Sequence, residues 1–180
     1  MSMGWIPGQS DRAQGVVTRS TALTYRAEQQ ACAEHGDSQW RRHRAGLGWY
    51  EHRSEPALFR SISPAWGDEN LLELATEIRT RLFLAHVRAG TGTPVQQTNC
   101  HPFRYRNWLF VHNGYVAGYQ RLRRDLLLAV HPDLFGNIAG STDSELLFHL
   151  ALTFGLTDDP ITGIARMAGF VEATAAATSG

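Results

Sequence analysis

Two short apolar runs constrain this chain more than anything else in its sequence. Arg81–Arg88 (RLFLAHVR) and Trp108–His112 (WLFVH) read as strands of the buried type. Each stops at a polar segment that contains glycine. Ala89-Gly90-Thr91-Gly92 follows the first, and Asn113-Gly114 follows the second. Gly46–Tyr50 and Pro56–Ile62 predict two more strands, with Glu51–Glu55 as the turn between them. Tyr115–Tyr119 is expected to return as a strand after Asn113-Gly114, a strong hairpin signal.

The helical signals lie mostly further along the chain. Gly67-Asp68 opens a helix carrying Leu71, Leu74 or Ala75, and Ile78 at helical spacing. A second is expected over about Gln120–His131, with Leu122, Leu126 and Val130 on one face. Thr142-Asp143-Ser144-Glu145 fits a capping box before Leu146, Leu147, Leu150 and Phe154, and Gly155 stands at the C-terminal cap. Asp159-Pro160 starts a last helix over about Pro160–Ala176. Strands come first and helices follow, so the expected class is α+β with helices packed on sheets.

Composition narrows the function. The length of 180 residues suits one domain. Residues 1–45 read as a separate arm, poor in large aliphatics and without a sustained period, and the folded domain is expected over 46–180. The 17 basic and 17 acidic side chains cancel, which argues against a nucleic-acid binder or a polybasic membrane anchor. No apolar run reaches the roughly 20 residues of a membrane span. The start of the chain lacks the pattern of a signal peptide, so a cytoplasmic location is expected. All 17 basic residues are arginine, which excludes Schiff-base, Walker-A and kinase-type lysine chemistry. Two cysteines, Cys32 and Cys100, are too few for a disulfide scaffold or a four-cysteine zinc site.

Chemistry-bearing residues gather where the apolar strands end. Arg88 stands where a guanidinium clamps a carboxylate, or forms an ion pair at a sheet rim. Asn113-Gly114 is either a hairpin turn or a pair of donors for a developing oxyanion. Asp143, in the first turn of a helix, either complements the helix dipole or accepts a bond from an ammonium group. His86, His101 and His112 match no standard zinc spacing. Cys100, beside His101, reads as a small buried residue rather than a nucleophile.

Taken in order, GLGWY (46–50), SPAW (63–66), HVRAGTG (86–92), QTNCHPF (97–103), WLFVHNG (108–114) and STDSE (141–145) resemble the class II glutamine amidotransferases of the N-terminal-nucleophile hydrolase superfamily. The small stand-alone bacterial members are the most similar. The resemblance runs from about Gly46 to Ala176. It implies a four-layer αββα sandwich and no cofactor or metal. It also implies a small substrate: glutamine or another γ-glutamyl compound. By resemblance, Arg88 holds the α-carboxylate and Thr91 belongs to the same binding loop. Asn113 and Gly114 form the oxyanion hole, and Asp143 holds the α-amino group.

The family resemblance also implies a cysteine at the processed N-terminus, whose thiol attacks the γ-amide while its α-amine acts as base. Here position 2 is Ser2, a weak substitute nucleophile. Further strands are implied after the last helix. The expectation is therefore an amidotransferase-like domain, incomplete at both ends and inactive as written. The alternative is a non-catalytic protein that binds glutamine-like ligands or a partner. No synthase domain is present in the sequence to accept ammonia.

Overall fold

The computed structural model describes residues 2–6, 44–88 and 94–178. The expected N-terminal arm therefore lies mostly outside the described residues, as does Thr91. The chain divides into two compact units, one of Met1–Trp5 with Phe110–Gly180 and the other of Ile6–Leu109.

The second of these units is built on an antiparallel sheet. Strand β2 (Arg44–Tyr50) lies between β3 (Ala57–Pro64) and β4 (Leu82–Arg88), giving the order β3-β2-β4. Leu47 pairs with Phe59 on one side and Ala85 on the other. The glycines of β2 have a packing reason. A Cβ on Gly46 would lie 1.7 Å from the carbonyl oxygen of His101, so the 101–102 segment crosses directly over the strand. Tyr50 ends β2 with its hydroxyl donating to the Asn107 carbonyl at 2.8 Å, and burial pushes its pKa up to about 12. Thr80 in turn donates to the Tyr50 carbonyl. Helix α1 (Glu69–Glu77) starts as expected, with the Asp68 carboxylate accepting from the Leu71 amide at 3.2 Å.

A second sheet has the order β1-β6-β5, from β1 (Ser2–Ile6), β5 (Phe103–Tyr105) and β6 (Trp108–Asn113). Strand β5 is absent from the sequence reading. It turns into β6 through Arg106-Asn107, with Arg106 at φ 51°. The hairpin thus uses a left-handed arginine where glycine is the usual signal.

The unit of residues 110–180 adds α2 (Tyr119–Leu128), a one-turn α3 (Pro132–Phe135), α4 (Asp143–Thr153) and α5 (Pro160–Thr178). The expected return strand over Tyr115–Tyr119 does not form. Residues 115–118 are instead a loop that enters α2 through Gly118, at φ 69°, and Tyr119 is already helical. Helix α4 is the centre of this unit: Ser144 to Leu152 are all buried. A helix buried on every side packs against neighbours all round, here α2, α3 and α5. Phe148 stacks on Phe110 of β6 with centroids 5.1 Å apart and planes at 9°. Gly155, at φ 93°, ends the helix as its sequence position implies.

Replacing Gly46 by alanine is expected to destabilise the protein by about 2–4 kcal/mol, because backbone must move to admit the methyl group. Denaturant titration checks this, and a loss below about 0.5 kcal/mol contradicts the described crossing.

Candidate functional site

Strand β6, the residue after it and helix α4 carry four of the candidates: His112, Asn113, Gly114 and Asp143. Asn113 is the last residue of β6, and Gly114 follows it; both are exposed. Neither has the positive φ that a tight two-residue hairpin turn requires, and no strand returns from them. The turn reading of this dipeptide therefore fails. The pair instead opens a loop that runs across the start of α4.

Asp143 is the first residue of α4, and it does not cap the helix. Thr142 does so, its hydroxyl accepting from the Glu145 amide at 3.1 Å. The Glu145 carboxylate departs from the usual capping box. It reaches further back, accepting from the Ala139 and Gly140 amides at 3.0 and 2.7 Å. These bonds fix the chain entering the helix and leave Asp143 free for another task. One carboxylate oxygen of Asp143 accepts from the Val116 amide at 2.7 Å, and the other accepts from the Ser144 amide at 2.8 Å. A carboxylate has about four acceptor positions, so capacity remains for a ligand ammonium.

His112, next to Asn113, is buried at 2% exposure. Its Nδ1 lies 3.0 Å from the Ser144 hydroxyl, and that hydroxyl is 3.4 Å from Asp143 Oδ1. The partner is thus a side chain 32 residues away. Ser144 is the residue that sequence reasoning missed. The only signal was its place beside Asp143. Burial pulls the His112 pKa below its ordinary value of 6.5, and the nearby Asp143 charge partly opposes this.

Arg88, His86, His101 and Cys100 belong to the other unit. Arg88 ends β4, and its backbone pairs with Arg44 at the start of β2. The register places two arginines side by side at that end of the sheet. His86 and His101 are neighbours, with ring centroids 4.2 Å apart. Among the described residues, no group of three or more His, Cys, Asp or Glu side chains is placed to hold a metal ion. Cys100 is buried, and its thiol donates towards the Ser61 and Gln96 carbonyls, as a small core residue does. Cys32 lies outside the described residues. Ser2 begins β1, the strand beside β6. No described helix is long and apolar enough to cross a membrane.

The loop that opens at the strand-end Asn113-Gly114 pair is thus tied through Val116 to the aspartate that starts α4. Comparison with known proteins is more specific. The family model for class II glutamine amidotransferases matches residues 14–156, and the chain belongs to that family. It is 43% identical over 112 residues to the probable glutamine amidotransferase DUG3 of Saccharomyces cerevisiae, covering 59% of this chain and 31% of that protein. It is 36% identical over 72 residues to the gamma-glutamyl-hercynylcysteine sulfoxide hydrolase of Mycolicibacterium smegmatis, covering 39% and 32%. A solved glutamine aminotransferase class-II domain protein from Silicibacter pomeroyi superposes with a TM-score of 0.66 at 41% identity. It covers 74% of this chain and 57% of its own. The chain thus spans about a third of the length of these two curated relatives. The α+β fold is that of the class II amidotransferase domain.

The buried His112 has a consequence for stability. Between its ordinary and its lowered pKa, the unfolded chain binds a proton that the native chain does not. Unfolding free energy is therefore expected to fall as the pH drops from about 7.5 to about 5.5. His112→Gln is expected to show a shallower slope over that range in denaturant titrations. A slope equal to the wild type contradicts a neutral, buried His112.

Proposed function

We propose that this chain recognises L-glutamine or another γ-glutamyl compound and polarises its γ-amide. The observation that carries this reading is the bond from the Val116 amide to Asp143. It ties the loop after Asn113-Gly114 to the first residue of α4 at 2.7 Å. In this reading Asp143 receives the α-ammonium group. The Asn113 amide and the Gly114 N–H then donate to the γ-carbonyl oxygen as it gains charge. The α-carboxylate is assigned to Arg88, with Thr91, as the family resemblance implies. The relatives named as a glutamine amidotransferase and a γ-glutamyl hydrolase support this substrate class. In this reading residues 46–180 carry the amidotransferase-like domain, arranged as the four-layer αββα sandwich of its superfamily, in a reducing cytoplasm.

The chemistry that this pocket serves is attack of a thiol on the γ-amide carbon. Ammonia leaves, a thioester forms, and water then releases glutamate and restores the thiol. Cys100 is buried against backbone carbonyls and does not supply that thiol. Ser2 carries a hydroxyl with little nucleophilic power at neutral pH. In this reading the pocket binds its ligand without turnover.

Calorimetric titration with L-glutamine tests binding. Arg88→Ala is expected to weaken affinity by about 10- to 100-fold with an unchanged melting temperature, the scale of a charge-assisted pair. Equal affinity removes Arg88 from the site. An ammonia-release assay tests turnover separately. Release of ammonia from glutamine, abolished by Asn113→Ala, would overturn the inactive reading.

A further inference from the structure

Resting on the glutamine-site reading above, we propose that His112 and Ser144 are positioning residues of that site. Together they form a hydrogen-bond relay joining the Asn113-Gly114 strip to Asp143. Three observations place them so. The His112 Nδ1 is 3.0 Å from the Ser144 hydroxyl. The same hydroxyl faces Asp143 Oδ1 at 3.4 Å. The other edge of the imidazole faces Gly114, where an added Cβ would lie 2.9 Å from Nε2.

The direction of the relay follows from counting protons. The Ser144 hydroxyl has one proton to give and two acceptors in reach. Given to the Asp143 carboxylate, it leaves the oxygen to accept from His112 Nδ1–H. Given to His112 Nδ1, it forces the ring proton onto Nε2. That nitrogen is buried and has no hydrogen-bond partner. A buried N–H without an acceptor is the costlier arrangement. The relay therefore runs from His112 Nδ1–H to the Ser144 oxygen, and from the Ser144 proton to Asp143. Ser144 thus fixes both the histidine tautomer and the Asp143 carboxylate, whose second oxygen is held by Val116. The ring supports the Gly114 backbone from beneath.

The relay assigns Ser144 a role in ammonium recognition, which a purely structural residue would lack. Two probes separate these: L-glutamine, and 4-carbamoylbutanoate, which is glutamine without its ammonium group. Calorimetry on Ser144→Ala is expected to show L-glutamine weakened about tenfold, with 4-carbamoylbutanoate changed less than about twofold. Ser144→Thr, which keeps the hydroxyl, is expected to restore L-glutamine affinity to within about threefold. Equal weakening of both probes, or no change in either, overturns the relay.

Nitrogen NMR of His112 adds a readout independent of ligand. The wild type is expected as the neutral form protonated on Nδ1, with the tautomers redistributed in Ser144→Ala. A wild-type ring protonated on Nε2 overturns the relay. If the wild type binds neither probe, the glutamine reading itself fails, and the nitrogen spectra still decide the relay.

Discussion

The bond between the Asp143 carboxylate and the Val116 amide organises the site more than any other interaction. At 2.7 Å it is short, and its acceptor is charged. It closes a small ring of structure that runs from the end of β6, through the exposed Asn113 and Gly114, to the start of α4. Without it, the loop between β6 and α2 loses its tie to α4 at Asp143. With it, a pair of potential donors and a carboxylate are held at set positions before any ligand arrives.

That bond works because α4 is immobilised by its burial. Ser144 through Leu152 are all enclosed, and Phe148 stacks on Phe110 of the strand that ends at Asn113. The strand and the helix thus share a core, and the loop after the strand is bonded to the start of the helix. Capping is divided between two other residues. Thr142 satisfies the helix amide, and Glu145 holds the preceding loop through two backbone amides. Asp143 is spared from capping and turned towards the loop.

Much of this was legible in the sequence. The apolar runs gave β4 and β6 to within a residue or so, and Thr142 and Gly155 mark the two ends of α4. The family followed from six ordered motifs and is borne out by the family match. What escaped has physical reasons. Strand β5 was hidden because its hairpin turns at Arg106, a left-handed residue that carries no glycine signal. Asn113-Gly114 looked like a hairpin, but the loop that follows is captured by Asp143, a contact across 27 residues that no local pattern encodes. The His112–Ser144 pair is similarly distant, so its members appeared separately as a strand-end histidine and a helix-start serine.

The central claim is that the loop after β6 is locked to α4 through Asp143. Amide hydrogen exchange at Val116 tests it most directly. The Val116 amide is predicted to exchange far more slowly than those of Tyr115 and Ala117. In Asp143→Ala that protection is predicted to vanish while Phe110 in β6 stays protected. Fast exchange at Val116 in the wild type, or protection that survives Asp143→Ala, would contradict the account.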